Sequence, residues 1–275
     1  MRIVEKRILA KGICLFVIEA PLIAKKAEPG QFVIVRHKEN GERIPLTIAD
    51  YNRDQGTITL VCHGIGKSTQ EINQLNQGDS FLDVLGPLGL AMPIEKVGKV
   101  LCVAGGLGVA PMYPITRILK AAGNHIISII GARSQEMLIM TEEMEAVSNQ
   151  IHYCTDDGSF GHHGFVTDVL SQVLQEQEID LVVAIGPLPM MAAVAKITKE
   201  FAVPTQVSLN ALMVDGTGMC GGCRVTIGEK TKFACVDGPV FDAHQVNFAE
   251  LLSRQNFYRD QEQAALHQCR IGVGR

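Results

Sequence analysis

Asp215, Cys220, Cys223 and Cys235 follow one another as D-x4-C-x2-C-x11-C. The stretches between the first three, "GTGM" and "GG", are glycine-rich, so the backbone is free to wrap an inorganic centre and turn its amides inward. Three soft thiolates and one hard carboxylate at this spacing are suited to iron. The plant-type [2Fe–2S] pattern is C-x4-C-x2-C followed by a more distant cysteine, so here the spacing persists and only the first donor has changed. Two rival readings draw on the same residues. A zinc knuckle would use Cys220, Cys223 and Cys235 with His244 as fourth ligand. Alternatively Asp215 is a turn residue, and Cys269 completes the set from the tail.

Other stretches have the makings of phosphate sites. "VAGGLGVAP" (Val103 to Pro111) joins an apolar run to a helical one. Gly105, Gly106 and Gly108 remove side chains where a pyrophosphate would approach, and the following helix N-terminus offers free N–H groups. The dinucleotide fingerprint wants a third glycine where Pro111 stands, so the loop alone equally fits a tight structural turn. "GARS" closes the next strand and puts Arg133 where an adenosine ribose would lie; its plain alternative is an exposed loop arginine. Nearer the N-terminus, "RIPLTIAD" carries Arg43, Pro45, Leu46 and Thr47 on a strand. "CHGIGKSTQEI" brings Gly64, Gly66, Lys67, Ser68 and Thr69 ahead of an apparent helix. The first glycine of a Walker loop is missing before Lys67, which disfavours nucleotide hydrolysis.

Three kinds of segment position these residues. Residues 1–97 run in short, turn-punctuated strands such as "ICLFVIEA", "QFVIVRH" and "TITLVCHG", implying an antiparallel sheet closed into a barrel. From Gly98 the grammar changes. "KVLCVAGG", "HIISIIGARS" and "DLVVAIGP" are unbroken apolar runs alternating with helical stretches such as "APMYPITRILKAAG" and "VTDVLSQVLQEQ". That alternation predicts a doubly wound parallel sheet over residues 98–204. Residues 205–275 hold the cysteine-rich segment and a polar tail.

Composition narrows the function. Apolar residues make up 47% of 275, enough for real cores, and no stretch reads as a membrane span. The run "GICLFVI" is short, is followed by Glu19 and reads as a strand rather than a signal peptide. A net charge of -4 without a basic stripe argues against nucleic acid. Eight cysteines without an export signal imply reduced thiols and a cytoplasmic setting. Cys14, Cys62, Cys102 and Cys154 sit in apolar surroundings and read as small buried hydrophobes. The pair His162-His163 lacks a carboxylate at ligand spacing and reads as exposed loop.

"PGQF", "RIPLT", the glycine loop after Leu60, "GGLGVAP", "GARS", "DDGSFGHHGFVTD" and "IGP" occur in an order that resembles the ferredoxin–NADP reductase superfamily, over about residues 1–205. The resemblance implies an FAD-binding barrel and a domain that presents NAD(H) or NADP(H) to it. It implies that Arg43, Pro45, Leu46 and Thr47 line the FAD, with Gly64, Gly66, Lys67, Ser68 and Thr69 on its phosphates. Gly105, Gly106 and Gly108 would face the pyridine nucleotide, with Arg133, Asp157 and Gly186 along its channel. With the C-terminal segment included, the chain resembles the electron-transfer subunits of dihydroorotate dehydrogenases. It resembles still more the small subunits of the bifurcating NADH-dependent ferredoxin–NADP reductases, also labelled sulfide dehydrogenases, whose cluster takes one aspartate and three cysteines. That resemblance implies a [2Fe–2S] cluster on Asp215, Cys220, Cys223 and Cys235, a larger flavin and iron–sulfur partner subunit in a heterodimer, and ferredoxin as a redox partner. The alternatives are a dihydroorotate dehydrogenase subunit, a sulfide or polysulfide reductase component and, outside enzymes, a zinc-binding partner module.

Overall fold

The computed structural model describes residues 1–270. Its first unit is an antiparallel sheet of β1 (Ile3–Ala10), β2 (Ile13–Glu19), β3 (Phe32–Arg36), β4 (Ile44–Asn52), β5 (Thr57–His63) and β6 (Asp83–Leu88). The spatial order is β1-β2-β5-β4-β3-β6, with α1 (Pro21–Lys26) after β2 and α2 (Lys67–Gln74) after β5. A bridge from Arg2 to Ser80 ties the chain before β1 to the chain before β6. Phe16, Val33, Ile48, Leu60 and Phe81 fill the inner face. On β2, Cys14, Phe16 and Ile18 point into that core while Ile13 and Leu15 pack against the second unit. Burial on both faces is why "ICLFVI" has no polar alternation.

The second unit is a mixed sheet containing β7 (Lys99–Gly105), β8 (His125–Ala132), β9 (Gln150–Thr155), β10 (His162–His163), β11 (Leu181–Ile185) and β12 (Thr205–Ser208). Helices α3 (Val109–Ala121), α4 (Thr141–Val147), α5 (Val166–Glu176) and α6 (Leu188–Glu200) cover both faces. Val100, Cys102 and Ala104 of β7 pack with α3 and α4, whereas Leu101 and Val103 pack with α5 and α6. Each buried Leu or Ile contributes about 1.5–3 kcal/mol, so these strands fasten the sheet between its helical layers. His162 and His163 form an exposed edge strand.

The remaining chain continues this sheet. After β13 (Arg224–Ile227) and β14 (Lys230–Phe233) form a hairpin, β15 (Val240–Asp242) pairs antiparallel with β12. The full order is β10-β9-β8-β7-β11-β12-β15, so the sheet runs on past residue 204. Helix α7 (Phe248–Gln255) packs on α6, and α8 (Arg259–Arg270) lies against α2. Among the described residues no helix is long and apolar enough to cross a membrane.

Candidate functional site

The cysteine-rich loop lies between β12 and β13 and is seated on the first sheet. Gly216 adopts φ +78°, and a Cβ there would come within 2.8 Å of Ile34 on β3, so only glycine fits both the turn and the approach. Asp215 is held by its own loop. Its Oδ1 accepts hydrogen bonds from the Thr217 amide and, at 2.8 Å, the Thr217 hydroxyl; Oδ2 accepts one from the Cys220 amide at 2.8 Å. Those bonds, the Thr217 amide foremost, hold the Asp215 carboxyl down to a pKa of about 2. It is therefore an ionised oxygen donor at neutral pH, with lone pairs left over for a metal.

The other ligands sort into place around it. Cys223 and Cys235 are buried with their sulfurs 3.2 Å apart, while Cys220 is exposed and its Sγ accepts from the Gly222 amide at 3.4 Å. Burial, then the Cys223 thiol beside it, pushes Cys235 up to about 12, so binding a cation there must expel a proton. Among the described residues no three His, Cys, Asp or Glu side chains converge on one point. The residues stand instead as two pairs, Asp215 with Cys220 and Cys223 with Cys235. A two-iron cluster takes protein ligands in that way, two to each iron, and the donor set fits it. A single zinc ion does not fit as well: His244 Nε2 is engaged with Thr198 Oγ1 at 3.0 Å, beside α6. The Cys269 side chain lies outside the described residues.

On β4, Pro45 and Thr47 share one face by the period of a strand, with Arg43 immediately before the strand, and Leu46 is buried in the opposite core at 8% exposure. Leu46 can therefore offer a ligand only its backbone. The Arg43 guanidinium donates to the Asp215 carbonyl at 3.2 Å. At the start of α2, Thr69 Oγ1 accepts the Gly66 amide at 3.0 Å, a cap that fixes the helix end. The first-turn amides stay free, and no acidic side chain occupies that turn. A cavity of about 650 Å³ opens there among Lys38, Gly41, Glu42, Lys67, Ser68 and Glu71. Ser68 donates its hydroxyl to Glu42, a contact without a sequence signal, so an anion at Ser68 requires Glu42 to turn aside.

The strand order reverses between β7 and β11, and their C-terminal ends form the crevice where open α/β sheets take ligands. The glycines here divide in function. A Cβ on Gly105 would come within 2.4 Å of Met190 Sδ, and one on Gly108 within 2.1 Å of the Ile185 carbonyl oxygen. Gly186 is likewise packed against Met190. Only Gly106, at φ +54°, faces open space. The loops after β8 and β9 adjoin, with the Asp157 amide donating to the Arg133 carbonyl at 3.2 Å. Asp157 Oδ1 accepts the Ser159 hydroxyl at 2.6 Å, which makes it first a turn-former. Burial, and then the Arg133 cation, lower the pKa of His63 on β5 of the first unit. The two units are further clasped by Arg117, which donates to Asp50 Oδ1 at 2.8 Å with its guanidinium 5.4 Å from the Tyr51 ring.

Comparison with known proteins matches residues 210–247 to the iron–sulfur cluster binding domain of dihydroorotate dehydrogenase B and residues 102–196 to an oxidoreductase NAD-binding domain. The chain is 47% identical to a Thermotoga maritima homologue of the electron transfer subunit of dihydroorotate dehydrogenase B (NAD(+)), over 94% of this chain and 92% of that one. It is 33% identical to the corresponding subunit of Geobacillus thermodenitrificans, over 90% and 97%. A chain in a solved NADH-dependent reduced ferredoxin–NADP oxidoreductase, described for flavin-based electron bifurcation, superposes with a TM-score of 0.93 at 45% identity, covering 97% of this chain and 96% of that one.

Proposed function

The chain belongs to the family of dihydroorotate dehydrogenase B electron-transfer subunits, within the ferredoxin–NADP reductase superfamily, and from that premise we propose how it moves electrons. It is an oxidoreductase subunit whose cofactors are FAD, a nicotinamide dinucleotide and an iron–sulfur cluster. When bound, these groups supply hydride transfer from nicotinamide to flavin and single-electron transfer between flavin and cluster. The protein supplies position.

Asp215 and Cys220 hold one iron and Cys223 and Cys235 the other, with the carboxylate already ionised. Pro45, Thr47 and the backbone of Leu46 flank the flavin, and Arg43 borders that face. The amides of Lys67, Ser68 and Thr69, reached through the glycine turn of Gly64 and Gly66, meet its phosphates. Gly106 and the start of α3 admit the dinucleotide, while Gly105, Gly108 and Gly186 let the two loops close on each other. Arg133 and Asp157 lie along its adenosine half, and the relatives' names favour NAD(H) over NADP(H). The Arg2–Ser80 bridge supports closure of the first sheet into a barrel. We take residues 1–97, 98–204 and 205–275 as the flavin, nucleotide and cluster segments.

Electron-transfer subunits imply a larger catalytic partner. We propose a heterodimer with a flavin and iron–sulfur subunit, acting on ferredoxin in the cytoplasm. The carboxylate at the first ligand position carries this choice, because the dihydroorotate dehydrogenase reading expects a fourth cysteine there. The test is direct. Anaerobically purified chain is expected to be brown-yellow, with two irons and one FAD; zinc in place of iron ends the proposal. With the partner added, nicotinamide-dependent reduction of ferredoxin supports the ferredoxin reading, and reduction of NAD(+) by dihydroorotate supports its rival.

A further inference from the structure

We propose that Arg43 is a positioning residue for the cluster loop: it holds the backbone of Asp215 and sets how readily the centre bound there is reduced. The proposal rests on the iron–sulfur reading above. The Arg43 guanidinium donates to the Asp215 carbonyl at 3.2 Å across 172 positions of sequence. Every other hydrogen bond to Asp215 among the described residues comes from Thr217 or Cys220 of the same loop. Arg43 is therefore the long-range anchor of the ligand that distinguishes this site.

Its base is fixed. Arg43 ends the β3–β4 connection, and that connection is fastened to α2 at both ends. His37 Nε2 and Lys38 Nζ stand 2.9 and 2.8 Å from Glu71 Oε2, and Glu42, next to Arg43, accepts the Ser68 hydroxyl. The connection thus runs from the helix that meets the flavin phosphates to the loop that carries the cluster. Among the described residues Arg43 has no carboxylate partner, so its charge is not neutralised locally. Reduction adds one electron, and so one negative charge, to a centre already ligated by three thiolates and a carboxylate. A nearby cation stabilises that added charge, and removing it makes reduction harder.

The experiment uses the full chain with both cofactors loaded, as wild type, Arg43→Gln and Arg43→Lys. Iron and flavin are counted, and each midpoint potential is followed by titration, the cluster by EPR and the flavin by absorbance. Arg43→Gln is expected to keep its iron; because Arg43 also borders the flavin face, FAD is held in excess and its potential is followed separately. The variant's cluster potential is expected to fall by about threefold in the reduction equilibrium, or about 28 mV at 59 mV per decade for one electron. Arg43→Lys keeps a cation and shifts the potential the same way by a smaller step. Because Arg43 is exposed, the difference from wild type shrinks in high salt. An Arg43→Gln chain replete in iron and FAD with an unmoved cluster potential overturns the proposal. Should Arg43→Gln not fold, Arg43→Lys decides, and an unmoved potential in it is equally fatal. Failure of the iron–sulfur reading looks different: the wild-type chain itself would hold no iron.

Discussion

The crevice between β7 and β11 and the loop from Asp215 to Cys223 are built by opposite means. The crevice is made by packing. Its strands are buried from Val100 to Gly105 and from Val182 to Ile185, and Gly105 and Gly108 leave no room for a side chain. The loop has no regular secondary structure, exposes Cys220 and Met219, and is shaped by hydrogen bonds to one carboxylate. One site is therefore ready before its ligand arrives, and the other is completed by its ligand. Disturbing either should leave the other standing.

The sharpest way to break that contrast is to remove a ligand. Cys235→Ala is expected to abolish the cluster, with iron and the broad visible absorption lost, while FAD content and the far-ultraviolet spectrum stay. Unfolding of the whole chain would mean that the loop supports the sheet after all. Thiol reactivity separates the regions without mutation. Burial pushes Cys62 and Cys102 up to about 12, so at pH 8 only about one in ten thousand of either is thiolate. In metal-free chain Cys220 should label with a maleimide within minutes while Cys62 and Cys102 stay unlabelled until urea unfolds the protein.

Glycine substitutions probe the packed side. Gly108→Ala drives a Cβ into the Ile185 carbonyl, a backbone atom that cannot swing away. It should cost about 3 kcal/mol in urea unfolding with the iron content unchanged in whatever remains folded. Asp215→Ala should let a chelator strip iron about tenfold faster at unchanged unfolding midpoint. Gly106→Ala is the mildest: it meets no atom, so only its positive φ is penalised, by about 1 kcal/mol, with weaker dinucleotide binding in a titration.

The same division explains what was legible in the sequence. "KVLCVAGG" and "HIISIIGARS" announce buried parallel strands because covering a strand on both faces removes its polar residues. The ligand spacing is legible because it is fixed along the chain. What stayed hidden depends on residues far apart in sequence: Arg43 on Asp215, Glu42 on Ser68 and Arg117 on Asp50. Nothing in an arginine's neighbours announces which loop it will reach. Met190 was equally silent, although it is what Gly105 and Gly186 are cut to fit. The strands β12 and β15, four and three residues long, are too short for periodicity to distinguish from loop.

The joining of β15 to β12 bears on how this protein can be trimmed. Removing everything after residue 204 deletes β12 and leaves the outer flank of β11, with Val182, Val183 and Ala184, as a bare row of amides and carbonyls. Such an edge recruits other strands, so the shortened protein should come out of cells as aggregate rather than as a small soluble nucleotide-binding domain.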